Sequence, residues 1–294
     1  MTIFDAILQG IIQGLTEFLP VSSSGHLSLA QYFTGRSGEE GLLFIILLHI
    51  GTLFAVLIAF RQTLWVLILE FIAMIGDIFR GRFSFRGMSP KRRMIILLIV
   101  SLIPMAVVTF PLRGFFTAIT AANSILVEGL AFLLTSALLF LSCRCHGRKT
   151  ARDMRYKDAL AIGFMQSITP IPGLSRSGST ITAGLLMGLE RKYAFEFSFI
   201  MSIPVVTAAY FLEFWGADRS GMDIPTYVVI IGIFISLIVG LLAIKILRWV
   251  VVSDKFKYFA WYMLVLGILT TTAAVIDMFT DHALQRFVLN LSGG

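Results

Sequence analysis

Several apolar runs in this sequence reach about 20 residues, the length that an α-helix needs to cross the hydrocarbon core of a bilayer. Apolar residues make up 57% of the 294 residues, and charged residues make up only 14%. Inside lipid, a chain must satisfy its backbone hydrogen bonds internally, which a helix does within a single segment. The sequence therefore predicts an all-α polytopic membrane protein.

Six of these runs are predicted to span the membrane. They cover residues 41–60, 94–112, 121–142, 193–214, 227–246 and 259–279. A further apolar segment, residues 62–79, carries a polar stripe in which Thr63, Glu70 and Asp77 recur at seven-residue intervals. We expect this segment to lie along the cytoplasmic interface, because such a stripe suits a helix that is half in water. The alternative is that it also spans the bilayer.

Lysine and arginine residues are concentrated in two short loops, residues 80–93 and 144–157. Cytoplasmic loops of membrane proteins are enriched in these residues, so both loops are predicted to be cytoplasmic. Membrane topology therefore explains the formal net charge of +7, and we expect no nucleic-acid partner.

Two polar stretches interrupt the apolar pattern, and each lies between apolar helices that are too short to cross a bilayer. The first, residues 13–26, reads QGLTEFLPVSSSGH, and the second, residues 169–180, reads TPIPGLSRSGST. Proline stops the helix in each, and irregular backbone at membrane depth persists only within protein or beside water. Each stretch is predicted to form the tip of a re-entrant helix hairpin.

The two stretches belong to an internal repeat. At an offset of 153 residues, the separation of Asp5 and Asp158, eight positions are identical. The repeat predicts two halves of one integrated membrane domain, residues 1–150 and 151–294, each with one hairpin and three spans. Three crossings invert the second half, so the hairpins enter from opposite sides and their tips can meet near the midplane. Both termini are then external.

The second stretch has the composition of an anion site. Ser175, Arg176, Ser177 and Thr180 lie at or just inside the start of a helix, and Gly173 lets the backbone approach a ligand. A helix N-terminus carries unpaired N–H groups and positive partial charge, to which a guanidinium and hydroxyls add phosphate-binding capacity. The alternative is that Ser175 only caps the helix while Arg176 extends to the cytoplasmic surface.

The first stretch carries groups for acid–base and nucleophilic chemistry. Gln13 and Glu17 are four residues apart and share a helix face. Glu17 can hold a divalent cation or act as an acid or base. Ser22 and Ser23 offer hydroxyls, and His26 is a candidate to activate one of them or to attack phosphorus itself.

The two motifs, QGLTEFLPVSSSGH and PGLSRSGST, resemble the signature segments of the undecaprenyl-diphosphate phosphatases of the BacA type. The order of the spans corresponds over nearly the whole chain. The resemblance implies an enzyme of the bacterial inner membrane that removes the terminal phosphate of undecaprenyl diphosphate, which regenerates the lipid carrier for cell-wall precursors. It also implies an inverted-repeat fold, a site open to the periplasm and a divalent-cation requirement.

The resemblance also assigns roles by motif position. The essential acid corresponds to Glu17, and the hydroxyl and imidazole of the same segment correspond to Ser23 and His26. The residues that bind the diphosphate correspond to Ser175, Arg176 and Thr180. We include Arg176 among the catalytic residues, and the further positions expected to contribute to substrate binding are Gln13, Ser22, Gly173 and Ser177.

One departure from the family pattern concerns the metal. The first position of the family's E/Q-x-x-x-E pattern is often glutamate, and here it is Gln13. With one carboxylate fewer, Glu17 is the candidate protein ligand, and we expect the Mg²⁺ or Ca²⁺ ion to be held largely by the substrate diphosphate.

The residues alone leave several alternatives open. The nucleophile is Ser23, His26 or a water molecule, and His49, in the middle of a span, either lines the site or bonds a carbonyl. Inverted repeats with broken helices are also typical of transporters, so the rival hypothesis is a transporter of a lipid phosphate or another anion. A channel or assembly scaffold is a third hypothesis. Glycine pairs at four-residue spacing are compatible with a homodimer as well as with close packing inside the chain.

Overall fold

The structure, a computed structural model, describes residues 2–34, 39–85, 87–120, 124–216 and 224–280, and these form helices joined by short loops. The helices are α1 (Ile3–Thr16), α2 (Ser23–Thr34), α3 (Glu39–Ala59), α4 (Arg61–Phe79), α5 (Pro90–Pro104), α6 (Arg113–Thr120), α7 (Leu126–Ser142), α8 (Tyr156–Ser167), α9 (Arg176–Leu186), α10 (Arg191–Gly216), α11 (Thr226–Val252) and α12 (Phe256–Phe279). A π-helical turn, Met105–Thr109, continues α5. The predicted all-α class is confirmed.

The predicted spans coincide with helices. Five helical segments among the described residues are long and apolar enough to cross a membrane: Arg61–Phe79, Pro90–Thr109, Arg191–Leu212, Thr226–Val252 and Phe256–Phe279. Two further predicted spans correspond to the shorter apolar helices Phe44–Ala59 and Leu126–Ser142. Residues 121–123, at the start of one predicted span, lie outside the described residues. The protein is a multi-pass membrane protein.

The four helices of the two predicted hairpins are too short to cross a bilayer alone. α1, α2, α8 and α9 have 14, 12, 12 and 11 residues, and at about 1.5 Å per residue each falls well short of a hydrocarbon core of about 30 Å. The helices are interrupted where Pro20, Pro170 and Pro172 occur, because proline lacks the N–H that helix propagation needs. These lengths are the ones that the two predicted re-entrant hairpins require.

The two hairpins share their local hydrogen bonding. α1 and α8 each begin with an aspartate whose carboxylate accepts from the backbone N–H three residues earlier, at 2.9 Å in both cases. The second helix of each hairpin is capped alike: Ser22 Oγ accepts from Gly25 N–H at 3.3 Å, and Ser175 Oγ accepts from Gly178 N–H at 3.2 Å. At the offset of 153, Asp5 corresponds to Asp158, Ser22 to Ser175 and Gly25 to Gly178. The division into halves 1–150 and 151–294 stays a prediction.

Each hairpin packs against a helix from the other predicted half. α1 lies against α11, and α8 lies against α5. The helices approach closely because small residues face one another: a Cβ on Gly14 would lie 2.9 Å from the carbonyl oxygen of Ser236, and one on Gly10 would lie 2.9 Å from that of Gly232. This glycine pair of α1 is therefore used for packing within the chain.

The polar stripe of α4 contacts the starts of two other helices. Thr63 donates to Glu196 near the start of α10 at 2.9 Å. Arg92, at the start of α5, reaches Glu70 at 3.0 Å and Asp77 at 2.7 Å. The starts of α5 and α10 lie at the same end of the molecule, where they border one cavity.

These contacts bear on how α4 lies. From residue 63 to residue 77 the helix advances about 21 Å, yet its partners all belong to that one end. The contacts therefore favour α4 lying across the ends of the other helices, as the interfacial prediction requires, over α4 running parallel to them.

Candidate active site

The tips of the two hairpins touch. Arg176, the first residue of α9, donates from Nη2 to Glu17 Oε1 at 2.6 Å. Ser177 Oγ lies 3.4 Å from the carbonyl oxygen of Leu19 in the other hairpin. The side chains of Arg176 and Glu17 are only 17% and 9% exposed. A largely buried carboxylate and a largely buried guanidinium from opposite halves of the sequence therefore form one ion pair. The sequence predicted that the two tips meet, but not that these two side chains pair with each other.

The Glu17 carboxylate is surrounded by hydrogen-bond donors. Ser23, the first residue of α2, donates to Oε2 at 2.9 Å, and the Gln13 amide, one helical turn earlier on α1, donates to Oε2 at 3.2 Å. The Tyr210 hydroxyl of α10 lies 3.5 Å from Oε1. Gln13, Glu17, Ser23 and Arg176 are thus brought together as predicted, and Tyr210 joins them.

His49 of α3 also belongs to this group. Its Nδ1 lies 2.8 Å from the Ile45 carbonyl oxygen, which fixes the ring, and its Nε2 lies 3.6 Å from Glu17 Oε2. The imidazole packs on the Tyr210 ring, with centroids 4.1 Å apart. The two roles left open for this histidine are therefore compatible, since one nitrogen bonds a carbonyl while the other faces the site.

His26 faces a different set of neighbours. Its Nδ1 lies 2.8 Å from the carbonyl oxygen of Ser22, and its Nε2 lies 2.6 Å from the hydroxyl of Tyr262. The ring stacks on Tyr262 and also packs against Phe132. Both nitrogens are engaged away from the ion pair, and among the contacts of the described residues none joins His26 to Glu17. The catalytic role expected for His26 stays a prediction.

The serines that flank the breaks hold the backbone. Ser22 has a φ of 66°, a left-handed conformation that is uncommon for a residue with a side chain, and it caps α2. Ser175 caps α9 and is 1% exposed, so the capping role considered for it is confirmed. Thr180 donates to the carbonyl oxygen of Arg176 at 2.9 Å, within its own helix. Arg176 turns inward to Glu17 instead of extending to the surface.

The loop before Arg176 is held by a residue that sequence reasoning missed. Thr135 of α7 accepts from Ser175 N–H at 3.1 Å and lies 3.3 Å from the carbonyl oxygen of Gly173. Gly173 has a φ of 90°, and a Cβ there would lie 2.6 Å from the carbonyl oxygen of Glu128. The fully buried Thr135 therefore fixes the glycine turn, and the adjacent hydroxyls of Thr135 and Ser136 in an apolar run were the available signal.

The residues present do not fit a divalent cation held by the protein. Among the described residues, no group of three or more His, Cys, Asp or Glu side chains could hold a metal ion. The partners of Glu17 are the Arg176 guanidinium, the Ser23 and Tyr210 hydroxyls, the Gln13 amide and the His49 imidazole, so Glu17 is the one carboxylate among them and His49 the one imidazole. Gln13 points its amide nitrogen at Glu17, so it does not supply the missing carboxylate.

A narrow cleft between α3 and α10 reaches the ion pair. Its volume is about 10 Å³, and it is lined by Glu17, Phe18, Thr52, Leu53, Val56, Arg176, Ser202, Ile203 and Val206. A space of this size holds roughly one water molecule. A phosphate group therefore reaches Arg176 only if the side chains that line this cleft move apart.

Comparison of the sequence with known proteins places the chain in a family. A family model described as bacitracin resistance protein BacA matches residues 6–269. A relative from Alkaliphilus metalliredigens is 37% identical over 91% of this chain and 97% of its own length. Relatives from Methanosphaera stadtmanae and Bacteroides fragilis are each 38% identical, over 94% and 93% of this chain and 99% of their own lengths. All three are named undecaprenyl-diphosphatase. The chain belongs to the BacA family.

Proposed function

We propose that this protein is an integral-membrane phosphatase that hydrolyses undecaprenyl diphosphate to undecaprenyl phosphate and phosphate, which recycles the lipid carrier for cell-wall synthesis. The observation that carries the proposal is the 2.6 Å contact between Arg176 and Glu17, since it joins an anion-binding group to an acid–base group. Its relatives bear the name undecaprenyl-diphosphatase over more than nine-tenths of the chain, so the phosphatase is favoured over the transporter.

In the binding step, the diphosphate takes the place of Glu17 on Arg176. A guanidinium binds phosphate oxygens through paired hydrogen bonds, and the N-terminus of α9 adds positive partial charge on the same side. Glu17 is then free to accept a proton. The Ser23 hydroxyl, which already donates to Glu17 at 2.9 Å, is the group from which it takes that proton.

In the chemical step, Ser23 Oγ attacks the terminal phosphorus and its proton passes to Glu17. The bond between this phosphorus and the bridging oxygen breaks, and undecaprenyl phosphate leaves with the electron pair. Water then attacks the phosphoserine. Glu17 takes a proton from this water and returns the proton that it holds to the departing Ser23 Oγ, which regenerates the Ser23 hydroxyl and releases phosphate. Arg176 neutralises charge on the phosphoryl oxygens throughout, which is the usual task of arginine in phosphoryl transfer.

The divalent cation expected from the family, Mg²⁺ or Ca²⁺, is proposed to arrive on the diphosphate. Mg²⁺ is commonly bound through substrate phosphates together with only one or two carboxylates. If bound in this way, the ion would neutralise part of the phosphate charge. The chain contributes Glu17 as its one carboxylate at this site.

The proposed location is the bacterial inner membrane, with the active site open to the periplasm and both termini external. The basic loops 80–93 and 144–157 support this orientation, because such loops are retained in the cytoplasm. A homodimer is also proposed, although the Gly10 and Gly14 pair contacts α11 of its own chain.

Phosphate release by the purified protein in detergent tests the proposal. An enzyme releases phosphate from undecaprenyl diphosphate without two compartments, whereas a transporter releases none. Arg176→Ala should lower the turnover on the order of a thousandfold, while Arg82→Ala, at an exposed loop position, should leave it unchanged. A purified protein that binds the lipid without releasing phosphate would establish the transporter instead.

A further inference from the structure

A second cavity lies at the end of the molecule where α5 and α10 begin. Its volume is about 220 Å³, far larger than the cleft at the ion pair, and its lining includes Lys91, Met94, Thr150, Arg152, Tyr193 and Glu196. Lys91 and Arg152 belong to the two basic loops that define the predicted cytoplasmic side. The cavity is therefore separate from the proposed active site and faces the opposite compartment.

The cavity has an excess of positive charge. Lys91 and Arg152 line it, and the Arg93 guanidinium lies beside the same loop, where it donates to the Met154 carbonyl oxygen at 2.9 Å. Two carboxylates oppose these three cations. Asp153 is turned to its own loop, where it accepts from Thr150 N–H at 3.1 Å.

The second carboxylate, Glu196, accepts from Thr63 at 2.9 Å and lines the cavity itself. The positive ends of two long helices add to the cations, since α5 and α10, of 15 and 26 residues, both begin at this cavity.

A buried hydroxyl in the lining lacks a partner. Tyr193 is 9% exposed, and its hydroxyl has no hydrogen-bond partner among the described residues. A buried polar group without a partner is costly, and native proteins leave few of them. A ligand that accepts a hydrogen bond at this place would remove that cost.

Membrane lipid is within reach of the cavity. α4 lies next to it through the contact of Thr63 with Glu196, and its outer face exposes large apolar side chains such as Trp65 and Ile72. An exposed apolar helix face in a membrane protein is a lipid contact. The cavity thus lies at the level of the lipid headgroups, and not deep in the aqueous phase.

We propose that this cavity binds a phosphodiester whose head carries a hydrogen-bond donor, as in the ethanolamine or glycerol headgroups of membrane phospholipids. Lys91, Arg152 and the Tyr193 hydroxyl hold the phosphate, and Glu196 accepts from the amine or hydroxyl of the head. A choline headgroup has the same phosphate but no N–H or O–H to donate, so it binds less well. The site is a structural lipid site on the cytoplasmic face, independent of the phosphatase reaction.

Native mass spectrometry of the full-length protein with defined lipids tests this proposal. Wild-type protein should retain phosphatidylethanolamine and phosphatidylglycerol and should retain phosphatidylcholine several-fold less. A double variant, Lys91→Ala with Arg152→Ala, should lose about tenfold or more in retention of the first two lipids, because it removes two charge-assisted hydrogen bonds. Tyr193→Phe, which deletes only the hydroxyl, should lose about two- to tenfold.

The control removes two basic residues elsewhere on the surface. Arg148→Ala with Lys257→Ala, both at exposed positions, changes the net charge equally and should leave lipid retention and phosphate release at wild-type levels. If soluble glycerophosphoethanolamine competes with the lipids, the cavity is still a phosphodiester site, but its ligand is a soluble molecule and not a lipid. Equal retention of all three lipids, or equal losses in the two double variants, would overturn the proposal.

Discussion

At the scale of single residues, the chemistry depends on which hydroxyl reaches Glu17. Three consecutive serines follow Pro20 and Val21, and their side chains do different things. Ser22 caps α2, and Ser24 lies 3.2 Å from the Ser22 hydroxyl. Only Ser23, of these three, donates to Glu17. The family resemblance singled out Ser23, but the residue types alone could not separate the three serines, because their directions depend on the left-handed backbone at Ser22.

Replacing Ser23 tests whether it is the nucleophile. Ser23→Ala should lower phosphate release by at least about a thousandfold, because it removes the hydroxyl that is proposed to form the phosphoenzyme and that donates to Glu17. Ser24→Ala is the matched control, one residue away, and should stay within about twofold of wild type, since surface hydroxyls contribute little. Near-normal turnover by Ser23→Ala would mean that His26 or a water molecule attacks the phosphorus instead.

At the scale of helices, the second hairpin depends on α7 for its shape. The turn before Arg176 contains a glycine with positive φ and two prolines. Its own backbone bonds are single turns, such as the one from Leu174 N–H to the Ile171 carbonyl oxygen at 3.1 Å. Thr135 supplies two further contacts, one to the N–H of Ser175 and one near the carbonyl oxygen of Gly173. The position of Arg176 therefore depends on a helix from the other half of the chain.

Removing this one hydroxyl should impair the enzyme without changing any group that touches the substrate. Thr135→Val keeps the shape of the side chain but leaves two buried backbone groups unpaired, each at a cost of about 1–3 kcal/mol. We expect turnover to fall about tenfold or more, with a lower thermal midpoint, and Thr135→Ser to restore both. Thr117→Val, at an exposed helix position, is the control. Wild-type turnover by Thr135→Val would show that the turn holds its shape unaided.

The placement of α4 makes a topological prediction. If α4 lies across the cytoplasmic end, residues at its two ends face the same compartment. Single cysteines at Arg61→Cys and Arg82→Cys, in a chain with Cys143 and Cys145 replaced by alanine, should both react with an impermeant maleimide only after the membrane is opened. Tyr227→Cys, at the predicted external start of α11, should react in intact cells. Labelling of Arg61→Cys and Arg82→Cys from opposite sides would show that α4 spans.

At the scale of the whole molecule, the sequence predicted the helices and the breaks better than the contacts between helices that are distant in the chain. Apolar runs located the helices, and proline with glycine located both breaks, because these signals are local. Glu17 and Arg176 were predicted to lie in one site because the repeat related the two breaks. Tyr210 was not assigned to the site and the role of His49 was left open, since their contacts with Glu17 join helices that are distant in sequence. His26 was expected near the ion pair, and its actual partner, Tyr262, is 236 residues away.

The ion pair between the two halves also means that Glu17 competes with the substrate for Arg176. Glu17 occupies the arginine as an internal anion, so the lipid diphosphate must displace a carboxylate that is always present at high local concentration. Glu17→Gln removes that rival along with the proton acceptor. We expect this variant to copurify with more undecaprenyl diphosphate than wild type, detectable by mass spectrometry, while releasing no phosphate. Weaker lipid retention would contradict this. By returning to Arg176 after each turnover, Glu17 would also expel the inorganic product.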